Sequence, residues 1–214
     1  MDDLIENYQE QCEKIHSILR NAIKMFKHRI SISYYEPEII KSGIDKFDGD
    51  KNYIDTSSID GVNNIIKEEI VSYTKRPSRA NMQPIGSSVW FAKMKGSNKI
   101  LILSDKDDDI MQNIILSTGF MGIKASQKLP LSLLSAFVLS DAFTAQRDMN
   151  STGTTMSGIN NDLFAKILVP KLTDDEIIIF DDEYNLYIYR LSFLRRQVNQ
   201  LKFIKQHLLN KYFR

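Results

Sequence analysis

The chain has 214 residues, 43% apolar and 26% charged, which suits one sizeable core and argues against two full domains. A formal net charge of +1 excludes bulk attraction to a polyanion, so any such surface must be local. One cysteine excludes a disulfide framework, no apolar run approaches the roughly 20 residues that span a bilayer, and the Met-Asp-Asp-Leu start is unlike a signal peptide, so a cytoplasmic protein without a membrane segment is expected.

Residues 1–29 contain no glycine or proline and read as one helix about 40 Å long. Ile5, Tyr8, Cys12, Ile15, Leu19, Ala22 and Phe26 recur at steps of three and four, a narrow seam of the kind that pairs with another helix.

Residues 30–172 differ. All nine glycines and all five prolines fall there. Tyr53–Ile54, Val89–Ala92, Ile100–Leu103, Ile114–Leu116, Met121–Ile123 and Ile167–Val169 are short apolar runs bounded by turn residues and read as strands of an irregular sheet. One helix is expected from about Pro130 to Met149. Between Ile70 and Ser104 there is no acid, while Lys75, Arg76, Arg79, Lys93, Lys95 and Lys99 supply six bases. With Ser78, Asn81 and Ser87 interspersed, this is what a phosphate-tracking surface requires. Val89-Trp90-Phe91 inside that window reads as core strand rather than as a stacking platform. Asp107–Asp109 reads as an exposed turn rather than a Mg²⁺ site.

Residues 173–214 again lack glycine and proline and predict a helix of about 60 Å, opened by a Thr173/Glu176 capping box. The β-branched run Ile177–Ile179 leaves a short strand at 177–180 as an alternative. Phe180, Tyr184, Tyr187, Leu191, Leu194, Val198, Leu201, Leu208 and Tyr212 share one heptad seam, broken only by Lys205. Of these, Tyr184, Tyr187, Leu191, Leu194, Val198, Leu201 and Leu208 are the candidate partner-helix residues.

Both terminal helices have the same polarity. Residues 1–13 carry five acids and no base, and 14–29 five bases and no acid; 174–183 carry six acids and no base, and 184–214 seven bases and no acid. Each arrangement suits its own helix dipole. It also favours antiparallel pairing of the two helices, within a chain or between two, because each acidic end then lies beside a basic one.

Catalytic signatures are missing. There is no phosphate-binding Gly-x-x-x-x-Gly-Lys loop, no Gly-x-Gly-x-x-Gly turn and no His-Glu-x-x-His helix. His16, His28 and His207 all lie on the terminal helices, and one cysteine with scattered histidines makes no zinc site. No catalytic or metal-ligating residue is assigned.

Four strings resemble a known family in order and spacing. Tyr53-Ile54-Asp55-Thr56-Ser57-Ser58-Ile59-Asp60-Gly61 is similar to the opening strand and turn of a target-recognition domain in the specificity subunit of type I restriction–modification enzymes. Pro77-Ser78-Arg79-Ala80, with Gly86 and Val89-Trp90-Phe91-Ala92, resembles its second stretch. Ser117-Thr118-Gly119-Phe120 resembles its central strand, and Thr152–Asn160 followed by Ile167-Leu168-Val169-Pro170 its ending. Two departures stand out: Ser87 and Ser88 replace the acid usual after Gly86, and one recognition domain is present where the family usually has two.

The resemblance implies an α+β fold: an N-terminal coiled-coil helix (1–29), one mixed β-rich target-recognition domain (30–172) and a C-terminal spacer and dimerisation helix (173–214), the helices pairing antiparallel. It implies a half-length specificity subunit without catalytic centre or cofactor of its own. Such a chain would form a homodimer that reads a bipartite site in double-stranded DNA. It would dock a DNA adenine methyltransferase subunit, which uses S-adenosylmethionine, and a restriction/translocase subunit driven by ATP. Lys75, Arg76, Ser78, Lys93, Lys95 and Lys99 are then phosphate-side candidates. Arg79 is either a base-reading guanidinium or one arm of a structural salt bridge. Thr152, Thr154, Thr155 and Asn160 are either polar DNA contacts or a turn satisfied by its own hydroxyls. Two other classes stay open: a coiled-coil scaffold whose middle domain binds protein, and a metal-dependent hydrolase using Asp107–Asp109.

Overall fold

A computed structural model describes residues 1–151 and 158–212. The chain opens with α1 (Asp2–Ala22) and closes with α6 (Asp174–Tyr212). Between them lie β1 (Arg29–Ser31), β2 (Glu38–Ile39), β3 (Asp50–Ile54), β4 (Glu69–Ser72), β5 (Ala80–Met82), β6 (Ser88–Ala92) and β7 (Ile100–Leu103). Next come α2 (Asp108–Asn113), β8 (Ile114–Ser117), β9 (Phe120–Lys124), α3 (Leu131–Leu139), α4 (Asp141–Met149), α5 (Asn161–Phe164) and β10 (Leu168–Pro170). All six runs expected as strands are strands, and the long helices flank a β-rich middle, as the α+β reading requires.

One four-stranded antiparallel sheet has the order β2-β9-β6-β7; a second runs β4-β3-β8-β5, with β3 and β8 parallel. The first sheet lies at the centre of the molecule. Val89 and Phe91 of β6, Ile100 and Ile102 of β7, and Met121 and Ile123 of β9 point to a core shared with α1, α3, α4 and α6. Trp90, Leu101, Leu103 and Phe120 point the other way, onto the second sheet with Ile54, Ile59 and Leu116. A strand covered on both faces needs an unbroken apolar run, which is why Ser88–Ala92 and Ile100–Leu103 carry no polar alternation. Trp90 lies flat across Gly122, where a Cβ would meet its ring at 2.5 Å, so only glycine fits opposite. The tryptophan is core, as its sequence context implies.

α1 and α6 pair antiparallel within the chain. Lys205 Nζ lies 2.5 Å from Asp2 Oδ1 at one end, Arg190 donates to Gln11 Oε1 at 2.9 Å further along, and Phe26 packs on Phe180 at the other end. Acidic start meets basic end, as the charge pattern demands. The capping box holds: Thr173 N–H and Oγ1 donate to Glu176 Oε2 at 2.7 and 2.9 Å, and Glu176 N–H donates to Thr173 Oγ1. Helix, not strand, occupies 177–180.

Three expectations need correction. Helix does not extend to residue 29: after Ala22 come one 3₁₀ turn and an extended Phe26, because residues 29–31 pair with β10 instead. Local propensity is overridden by tertiary pairing there. The helix expected from Pro130 to Met149 is two helices broken at Ser140, whose hydroxyl accepts from Phe143 N–H at 3.1 Å and donates to Phe137 O at 2.7 Å. A serine that caps the next helix stops the one before it. Asp107 is not on an exposed turn but fully buried, ion-paired to Arg195 of α6 at 2.6 Å; Asp108 and Asp109 are exposed in the first turn of α2.

Candidate nucleic-acid interface

All four strings singled out in the sequence come together at one open cavity of about 680 Å³. Thr56 comes from the first, Arg79 from the second, Thr118 and Gly119 from the third, and Gly158, Ile159 and Asn160 from the fourth. Lys93 and Met94, just after β6, and Asn161 and Asp162 complete the wall. A neighbouring cavity of about 600 Å³ shares Lys93, Thr118 and Asn161 and adds Lys41 and Ser42, so the two form a continuous groove.

Backbone bonds lace these segments together. Thr118 N–H donates to Arg79 O at 2.8 Å, Lys93 N–H to Gly119 O at 3.0 Å, and Ile159 N–H to Lys93 O at 3.0 Å. Thr56 rides on a 3₁₀ turn tied by Asp55 Oδ1, which accepts from Ser57 and Ser58 N–H at 2.8 and 2.9 Å and from both hydroxyls. Burial pushes the Asp55 carboxyl up, but these donors together hold it below its ordinary value. Gly119 makes the close approach possible: a Cβ there would lie 3.0 Å from Arg79 Nη2 and 3.1 Å from Thr56 Cγ2.

Two cations share the cavity. The Arg79 side chain is exposed, and Lys93 is half-buried. Burial first, then the nearby Arg79 charge, hold the Lys93 ammonium below its usual pKa. An unshared anion would relieve both costs. Among the described residues the lining holds no histidine or cysteine, and its one carboxylate is Asp162. Two cations, hydroxyls and amides around an open groove are groups that position phosphates and meet base edges.

The other candidates divide. Lys75, Ser78 and Lys95 are exposed on the flanking loops. Arg76 instead holds its own loop: Nε donates to Ala80 O at 3.1 Å, Nη1 to Tyr73 O, and the guanidinium lies 4.1 Å over the Tyr73 ring. Lys99 Nζ donates to Ile59 O at 2.7 Å. Asn160 lines the cavity while its Oδ1 accepts from Leu163 N–H at 2.9 Å, capping α5. Thr152, Thr154 and Thr155 lie outside the described residues. Thr56, Thr118, Asn161, Asp162 and Lys41 were not singled out. For Thr56 and Thr118 the signal was present, since both sit inside the matching strings.

On α6, Leu191, Leu194 and Val198 are buried, Tyr184 and Tyr187 pack half-buried against the same core, and Leu201 is half-buried. Leu208 is exposed.

No protein-family model matches the chain, and no curated protein matches it. Solved structures do. A chain from work on complex assembly and conformational transition of the type I restriction–modification system aligns with a TM-score of 0.51 at 20% identity, over 87% of this chain and 48% of its own length. The HsdS subunit from Thermoanaerobacter tengcongensis aligns with a TM-score of 0.52 at 18% identity, over 86% of this chain and 46% of its own. The chain spans about half the length of these structures. Its fold, a β-rich head carried between antiparallel terminal helices, is that of the specificity subunits of type I restriction–modification systems.

Proposed function

We propose that the chain is a DNA-specificity subunit of a type I restriction–modification system, reading one half of a bipartite site in double-stranded DNA. The observation that carries this is the meeting at one groove of Lys93 with Thr56, Arg79, Thr118 and Asn160, each of these four from a string that resembles the family. Arg79 has its guanidinium in the open and is the base-reading candidate; Lys93, Lys95 and Lys75 are the phosphate candidates. The chain itself is read as non-catalytic: Asp107, the buried member of the aspartate triplet, is already neutralised by Arg195.

The second half-site requires a second head, and a second copy of this chain is the proposed source. Past Lys205, where α1 begins, Leu208, Leu209 and Tyr212 are exposed, with Phe203 and Ile204 just before them. A two-fold pair through these ends predicts a palindromic, interrupted target. Adenine methyltransferase and restriction/translocase subunits, carrying S-adenosylmethionine and ATP chemistry, are the proposed partners.

The test is binding of a mixed-sequence duplex at low salt, followed by fluorescence anisotropy. Arg79→Ala with Lys93→Ala should weaken binding at least roughly tenfold and lower the log–log salt slope by about one, for the phosphate contact of Lys93 alone. Unchanged affinity in a folded variant would transfer the chain to the scaffold class.

A further inference from the structure

The junction between α6 and the central sheet holds a group of buried charges away from the groove. Asp107 is fully buried, and Arg195 nearly so. Asp107 Oδ2 accepts from Ser104 N–H at 2.8 Å, Ser104 Oγ at 2.9 Å and Ser192 Oγ at 2.7 Å, while Arg195 Nη2 lies 2.6 Å from Oδ1. Arg195 Nη1 also donates to Ile102 O at 2.8 Å. Burial pushes the carboxyl up, yet Arg195 and the donors together hold it below its ordinary value, so it stays charged.

Apolar packing on α1, α3 and the sheet holds α6 in place without directional bonds; a buried ion pair with directed bonds adds them, and fixing register is the best-attested use of such groups. Ser192 and Arg195 sit one turn apart on α6, so the contact specifies both rotation and axial position. The struts it holds lead to the groove. β6 runs from Ser88, paired with Leu103 beside the cluster, to Ala92 and then Lys93. β8 starts where α2, opened by Asp107, ends, and runs to Ser117 and then Thr118.

We propose that Asp107, Ser104, Ser192 and Arg195 form a register lock that fixes the recognition head on α6, and so sets the gap between the two half-sites that a pair of heads accepts. The four are positioning residues and touch no DNA. The proposal rests on the DNA-specificity reading, and the test separates the two.

One arm needs no DNA. Spin labels at Asn98→Cys on the head and Gln200→Cys on α6, in a Cys12→Ala background diluted with unlabelled chain, report head-to-rod distances by double electron–electron resonance. Asp107→Asn with Arg195→Met removes both charges at similar shape. It should broaden the distance distribution about twofold. An unchanged distribution in the folded double variant overturns the lock. If that variant does not fold, Ser192→Ala, which deletes one bond, should still broaden the distribution, and no broadening overturns the lock.

The other arm selects bound duplexes from a random pool. The parent chain should return paired half-sites at one gap, and the double variant the same half-sites spread over three or more adjacent gaps. A single gap retained by a variant with broadened distances overturns the assignment of the gap to this cluster. A parent pool with no enriched sequence overturns the DNA-specificity reading and this proposal with it, whatever the distances show; enriched half-sites without a paired partner overturn the assignment of a gap alone.

Discussion

The two ends of α6 carry the same heptad pattern and have opposite fates. From Phe180 to Val198 the seam is covered by the chain's own α1 and α3 and, at Arg195, by the central sheet; Leu191 and Leu194 are 1% and 0% exposed. At the distal end the seam residues Leu208 and Tyr212 are 40% and 66% exposed, and Phe203, off the seam, is 74% exposed. Periodicity therefore tells that a helix has a partner but not which one. Coverage by α1 and α3 answers the question for the first part, and the exposed remainder is the end that the proposed second copy would cover.

Truncation breaks the comparison most directly. Leu194→Ala should cost roughly 3 kcal/mol in urea unfolding, the price of a buried leucine. The same change at Leu208 should cost under about 0.5 kcal/mol in the isolated monomer, as at other surface positions. Similar losses at both would mean that the distal end is core after all. Charge at the distal end comes next: Phe203→Asp with Leu208→Asp should weaken self-association about 100-fold in sedimentation equilibrium while leaving the circular dichroism unchanged. Full-strength association would place the second copy elsewhere.

The smallest effect concerns the shielded end. His16 on α1 is fully buried, with Glu13 Oε1 3.5 Å from Nδ1. Burial pushes the imidazole below its ordinary 6.5, against the pull of Glu13. Below that pH the unfolded chain takes up a proton that the folded chain refuses, so stability falls as pH drops through 6.5. Between pH 7.5 and 5.5 the loss should be at most about 1.4 kcal/mol per unit, read as a shift in melting temperature. His16→Phe should flatten it. Asp107 stays charged through this window, because its titration lies below the ordinary carboxylate value of 3.8.

Much of this organisation was legible in the residues, and the gaps have physical causes. Runs such as Ile100–Leu103 can satisfy their apolar surface only as doubly covered strands, so they were visible. Thr173 and Glu176 announce a helix start in any context. The three-residue β1 was invisible because Arg29-Ile30-Ser31 has no strand signature and exists only through its pairing with β10, far away in the chain. Asp107 looked like solvent-facing charge because its counter-ion, Arg195, comes from another element, and no local pattern encodes that. For the groove, the strings brought Arg79 and Asn160 to attention, while composition alone also suggested Arg76 and Lys99, which bond to the backbone of Tyr73 and Ala80 and of Ile59 respectively and do not line the cavity. Counting bases finds a charged stretch; it does not tell which of them line the groove.

The head enters and leaves through a neck of two short strands. Arg29 to Ser31 run beside Leu168 to Pro170, Lys171 N–H bonds to His28 O, and the Tyr35 hydroxyl bridges Pro170 O and Leu172 N–H. Everything between these points is inserted at what is, in space, a single place. A different head with the same paired ends and a comparable apolar flank could be grafted there without lengthening or re-aiming either rod. Under the proposed function, the neck makes the head an exchangeable cassette, so that a new target preference needs only two short joints and no rebuilding of the frame.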